Sequence, residues 1–238
     1  MPDPWIIPKI WPDSTVFIIG GGPSINTTNL DLIKNERIIS VNNAYGDPVI
    51  NDQGETERYE PRGWVDVAWF GDCGWYDMHK EDLFRFPGLK VSCCPRFLKS
   101  KGPVWVKVVK RGKMEGIEKS RDRVAWNKNS GGSAVNLAIH FGAKKIVLLG
   151  FDMQRVNGKK NYHNDHVEVK GKKDPFLKYI RTFEAIAREA DRMNVEIINA
   201  TPGSALTYFQ VKPLEEIVVT GEYDSSSIRK AEMPACVV

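Results

Sequence analysis

The chain is poor in cysteine and in unbroken apolar runs, and it leans to neither sign of charge. Four cysteines in 238 residues, with Cys93 and Cys94 adjacent and Cys236 near the end, make neither a zinc spacing nor a disulfide framework, so a reducing compartment is expected. No stretch approaches the roughly 20 apolar residues of a membrane span. The opening Met1 to Trp11 is proline-rich and broken by charge, so no leader or membrane anchor is expected. Its 34 basic against 30 acidic residues leave a net charge of +4, too mild to require nucleic acid as a partner. Two phosphate-binding signatures are missing as well: the glycine loop at Gly20 to Gly22 carries no Walker lysine and does not have the GxGxxG spacing.

What is present alternates between apolar runs and helical patterns. Thr15 to Ile19, Arg37 to Val41, Val65 to Phe70, Gly88 to Cys94, Val104 to Val109, Ile146 to Leu149 and Val195 to Ile198 read as strands. Between Asn129 and Asp152 a polar glycine turn opens a helix with Ala134, Leu137, Ala138 and Phe141 on one face, which Gly142 closes. Ser130 is the expected N-cap. Asp174-Pro175 opens a second long helix, whose Phe176, Tyr179, Phe183 and Ile186 are expected to be core. The polar Gly46 to Gly63 segment reads as an irregular excursion, and His79 as a surface histidine. Strands alternating with helices predict an α/β, doubly wound, mainly parallel Rossmann-like sheet. A single domain over residues 1–220 is expected, with a polar lid at about 153–173 and a loose tail at 221–238.

In such sheets ligands bind beyond the carboxyl ends of the strands. Polar residues end the strands on that edge: Gly20, Gly21, Gly22 and Ser24 after the first, Asn42 and Asn43 after the second, Asp72 after the third, Asp152 after the central one and Thr201 after the last. Glycines permit close ligand approach, and the start of a helix at Ser130, Gly131 and Gly132 offers backbone N–H groups to an anion. The bland readings are tight turns for the glycines and Asn residues, and helix capping for Asp72. The lysines and arginines between Arg96 and Lys128 form either a basic rim or a solvated face. In the lid, His163, Asp165 and His166 are the densest acid–base cluster of the chain. One metal shared by the two histidines is the competing use, although no nearby cysteine completes a shell.

These motifs, Gly20-Gly-Gly-Pro-Ser24, Val41-Asn-Asn-Ala-Tyr45, Ser130-Gly-Gly-Ser133, Gly150-Phe-Asp152 and His166, resemble those of the bacterial lipooligosaccharide sialyltransferases and of prophage-encoded proteins of the same superfamily. The resemblance implies a nucleotide-binding fold, a CMP-sugar donor, a small-molecule or glycan acceptor, and catalysis without a metal. It further implies nucleotide contacts at Asn42 or Asn43 and at Ser130, a phosphate near the glycine loop, and His166 as general base, with Asp165 or Asp152 orienting it. The location implied is cytoplasmic, that of a bacterial host if the chain is phage-encoded. The segment from Tyr45 to Trp75 and the lid depart from the sialyltransferase pattern, so the sugar is left open. A weaker likeness, to the hydroxymethylpterin diphosphokinases, implies instead ATP with Mg2+ held by Asp72 and Asp152.

Overall fold

The computed structural model describes residues 3–100, 102–163 and 174–219. In chain order its strands are β1 (Thr15–Ile19), β2 (Arg37–Val41), β3 (Gly46–Ile50), β4 (Thr56–Pro61), β5 (Val67–Phe70), β6 (Leu89–Ser92), β7 (Lys107–Val108), β8 (Lys110–Arg111), β9 (Arg123–Val124), β10 (Lys145–Leu149), β11 (Glu196–Asn199) and β12 (Gln210–Val211). The α-helices are α1 (Cys73–Arg85), α2 (Pro95–Lys99), α3 (Ser130–Phe141), α4 (Phe176–Arg192) and α5 (Leu214–Val219). Eight strands form one parallel sheet in the order β12-β11-β10-β1-β2-β5-β6-β7. The chain runs outward from β1 to β7, then returns to lay β10 on the other side of β1. That reversal beside β1 is the switch point of a doubly wound sheet.

Strand alternation divides the core. Val16, Ile18, Ile39, Trp69, Ile146 and Leu148 face α3 and α4, meeting Leu137, Phe141, Phe183 and Ile186. Phe17, Ile19, Ile38, Phe70, Val147 and Leu149 face the other way, against Ile33, Leu83, Phe86 and Ile217. Strands buried on both faces need apolar residues at every position, which is why they appear as continuous runs. The N-terminal arm belts the far end of the sheet: Trp5, Ile7, Trp11 and Asp13 donate backbone N–H groups to the carbonyls of Val108, Arg121, Phe141 and Gly142.

Several sequence expectations are corrected. Gly46 to Gly63 holds an antiparallel hairpin of β3 and β4, with a register shift between Val49 and Ile50, whose Tyr59 is buried. Charged residues on its exposed face hide the hairpin. The fifth strand shrinks to Lys107–Val108, and Val104 is 95% exposed. His79 is buried in α1, between the rings of Trp75 and Tyr59. Cys73 and Cys94 form a disulfide, their Cα atoms 5.5 Å apart across the ends of β5 and β6. Fold proximity, not sequence spacing, brings the pair together, and the bond removes the argument for a reducing compartment. Among the described residues no helix is long and apolar enough to cross a membrane.

Candidate functional site

A crevice of about 890 Å³ opens at the carboxyl edge of the sheet, over β1, β2 and β10. It brings together Gly20, Gly21, Gly22, Asn42, Asn43, Asp72, Ser130, Gly131 and Asp152. Thr201 and Gly132 are set behind it. His166, Asp165 and the rest of the expected lid from 164 to 173, like the tail, lie outside the described residues. His163 is described: it is buried, lines the crevice and meets the rings of Tyr162 and Tyr59 edge-on at 5.0 and 6.3 Å.

The Gly150-Phe151-Asp152 turn organises the floor. Gly150 has φ +70, the left-handed region that favours glycine. Its carbonyl accepts the Gly22 N–H at 2.9 Å. The Phe151 ring is then wedged between two glycines: a Cβ on Gly131 would lie 2.7 Å from Cε1, and one on Gly20 would lie 3.1 Å from Cδ2. Thr201 holds the wedge from below, its hydroxyl oxygen accepting the Phe151 N–H at 2.9 Å, while Ser204 Oγ donates to the Phe151 carbonyl. Asp152, 2% exposed, accepts from Ser24 Oγ at 2.8 Å and Ser24 N at 3.2 Å. Burial pushes its carboxyl pKa up, and the Ser24 hydrogen bonds oppose that shift. A Cβ on Gly22 would fall inside this carboxylate. These glycines are therefore needed for packing as much as for ligand approach.

The supply of free amides is smaller than the glycine count suggests. The Gly20 N–H goes to Leu149 O and that of Gly22 to Gly150 O. The N-cap of α3 is Asn129, not Ser130; its Oδ1 takes the Gly132 N–H at 2.6 Å, and its amide group donates to Asn127 O and Thr182 Oγ1. A side-chain carbonyl one residue earlier reaches the third amide of the helix better than Ser130 can. Ser130 and Gly131, as first-turn residues, have no acceptor for their N–H groups within the helix. Both residues line the crevice, where the positive end of the α3 dipole lies.

Asn42 has φ +53, and its Oδ1 is buried without a hydrogen-bond partner. Such an orphan costs about 1–3 kcal/mol, and strain of this kind collects where a ligand is held. Lys128 and Met153, also on the crevice wall, share the left-handed region. Asn43 is engaged instead: Oδ1 accepts from Trp75 Nε1 at 2.6 Å, Nδ2 lies 3.4 Å from His79 Nε2, and its carbonyl accepts the Tyr162 hydroxyl at 2.7 Å. Asp72 caps α1, accepting from Gly74 N at 2.7 Å and Trp75 N at 3.4 Å.

Other parts of the wall were not legible in the sequence. Phe176 and Tyr179, expected in the core, line the crevice, and the buried residues of α4 lie further along it, at Thr182, Phe183, Ile186 and Ala190. Trp126, Met153 and Lys159 join them. Five members of the basic stretch are ion-paired: Arg96 with Asp77, Lys110 and Arg123 with Asp122, Lys113 with Glu189, Lys128 with Glu115. The one signal for the aromatic wall is the i, i+3 spacing of Phe176 and Tyr179 right after the polar segment. Among the described residues, no group of three or more His, Cys, Asp or Glu side chains is placed to hold a metal.

With this geometry in hand, the chain can be compared with known proteins. No family model matches its sequence, and no curated protein does. The fold is similar to that of a sialyltransferase. The structure is that of CstII from Campylobacter jejuni in complex with a substrate analogue, cytidine-5'-monophosphate. The likeness to CstII has a TM-score of 0.52 and covers 84% of this chain and 85% of that one, at 14% sequence identity. At that identity, the likeness to CstII shows a shared α/β fold.

Proposed function

We propose that the protein is a transferase that moves a sugar from a nucleotide donor, a CMP-sugar, to an acceptor hydroxyl. The observation that carries this reading is the crevice at the switch point, whose wall joins the glycine loop, Asn42 and the start of α3. Asn42 Oδ1 is buried without a partner; a turn of that side chain into the crevice would pair it with a nucleoside hydroxyl or amino group, and the start of α3 at Ser130 and Gly131 suits a phosphate. The solved complex of the similar CstII fold with CMP supports the choice of donor. In this reading His166 takes the proton from the acceptor hydroxyl and Asp165 orients it, Asp152 being held by Ser24. A histidine suits that task because its ordinary pKa of about 6.5 lies near working pH, and general-base help is worth about 10²- to 10⁴-fold.

The test is thermal unfolding and calorimetric titration with CMP, CDP, UDP and ATP, each with magnesium or with a chelator. CMP at about 100 times its Kd should add about 2.7 kcal/mol of stability without magnesium. Asn42→Ala should weaken CMP by about tenfold. His166→Ala should abolish transfer and leave CMP binding intact. Stabilisation by ATP and magnesium alone would replace this reading with the diphosphokinase one. That alternative asks Asp72 and Asp152 to hold a metal, whereas Asp152 is occupied by Ser24 and Asp72 by the start of α1.

A further inference from the structure

Trp126 packs against the edge of the core and also reaches the crevice. It lies just before the α3 cap, half-buried, on the crevice wall. Its backbone N–H donates to Lys113 O at 2.9 Å, and the β8–β9 pairing of Arg111 with Val124 brings Arg111 beside it. The Arg111 guanidinium carbon sits 3.7 Å from the indole centroid, a close cation–π stack. That guanidinium is itself fixed, donating from Nε to Cys93 O at 3.0 Å and from Nη2 to Gly71 O. A Cβ on Gly71 would collide with the indole edge, so the missing side chain makes room for the ring.

One face of the indole is thus occupied by a cation that two carbonyls hold in place, the edge rests on Gly71, and what the ring leaves exposed lines the crevice. A ring immobilised in this way has no rotamer entropy left to lose when a flat ligand stacks on it. Tyr179 and Phe176 of α4 line the same crevice. This aromatic end adjoins the Ser130 and Gly131 amides, whereas the polar contact for a nucleoside, Asn42, follows β2. A group attached through the phosphate therefore extends along the aromatic end.

We infer that Trp126, braced by Arg111, is a specificity-determining platform for the sugar of the donor, stacking against the apolar face of its ring. The inference rests on the donor reading above, and the experiment separates the two. Calorimetry measures the Kd of CMP and of the slowly reacting donor CMP-3-fluoro-N-acetylneuraminate for the native protein, Trp126→Ala and Trp126→Phe. The donor analogue should bind the native protein more tightly than CMP. Trp126→Ala should weaken the analogue by about tenfold, as expected for lost stacking and burial, and leave CMP within about twofold. Trp126→Phe, which keeps a flat ring, should recover most of the loss. Equal weakening of both ligands would overturn the inference, because the ring would then serve the nucleotide or the fold. An analogue no tighter than CMP, or one indifferent to Trp126→Ala, would overturn it too. If CMP itself fails to bind the native protein, the donor reading falls, and this inference falls with it.

Discussion

The two ends of α3 are built from similar residues and used in opposite ways. At its C-terminal end Gly142, φ +107, donates to Ala138 and Ile139 carbonyls, Ala143 N–H also reaches Ala138 O, and the Trp11 N–H takes the Phe141 carbonyl. Trp11 and Phe141 seal that end with ring centroids 4.9 Å apart. At the N-terminal end Asn129 satisfies one amide and the next two outward belong to residues that line the crevice. One helix terminus spends its polar groups on the protein. The other leaves them without a partner in the helix, just after two residues in the left-handed region, Asn127 (φ +52) and Lys128 (φ +55).

This contrast can be broken from either end. The largest expected effect is at the crevice edge: reducing Cys73–Cys94, which closes a loop of sequence separation 21, should lower stability by about 3 kcal/mol. The check is chemical denaturation with and without a dithiol, and Cys73→Ser/Cys94→Ser should lose that sensitivity. Next, Gly22→Ala drives a Cβ into Asp152 and to 2.6 Å from Gly150 O. It should cost about 2 kcal/mol in stability and abolish CMP binding, so unaltered CMP binding would mean that the loop does not shape the site. Gly142→Ala, left-handed and 3.0 Å from Pro12 and Trp11 backbone atoms, should cost about 1–2 kcal/mol yet leave the CMP Kd unchanged. Equal effects of the two glycine variants on binding would erase the distinction between the ends.

The smallest effect concerns pH. Burial holds the His140 imidazole of α3 below its ordinary pKa, with a ring nitrogen 2.9 Å from the Arg123 carbonyl. The unfolded chain takes up a proton at about pH 6.5, which the folded chain resists. Stability is then whole above the unfolded value and is lost as pH falls below it. Melting temperatures between about pH 7 and about pH 5 should fall in the native protein and fall less in His140→Gln.

The sheet and the crevice edge were readable because buried parallel strands force apolar runs and because each run stops at a polar turn. β1 and β2 match the sequence expectation residue for residue. The hairpin was not readable, since Tyr59 alone among its charged neighbours is buried. Gly20, Gly22 and Gly131 stood out in the sequence, but their partners did not: Phe151 and Asp152 are far away along the chain. The aromatic wall was hidden for a related reason. Phe176, Tyr179 and Phe183 have the same amphipathic spacing, and only the end of the helix they occupy decides which rings meet the crevice.

The Phe151 wedge carries a consequence for sequence evolution. Its ring fills the space that a side chain on Gly20 or Gly131 would need. The positions are inherited together in different ways: a homologue that gains a side chain at Gly131 must carry a smaller residue in place of Phe151, so that pair should covary across any alignment deep enough to show it, whereas Gly20 is also held by the Gly150 carbonyl, 2.7 Å from where its Cβ would lie, and should stay glycine whatever stands at 151.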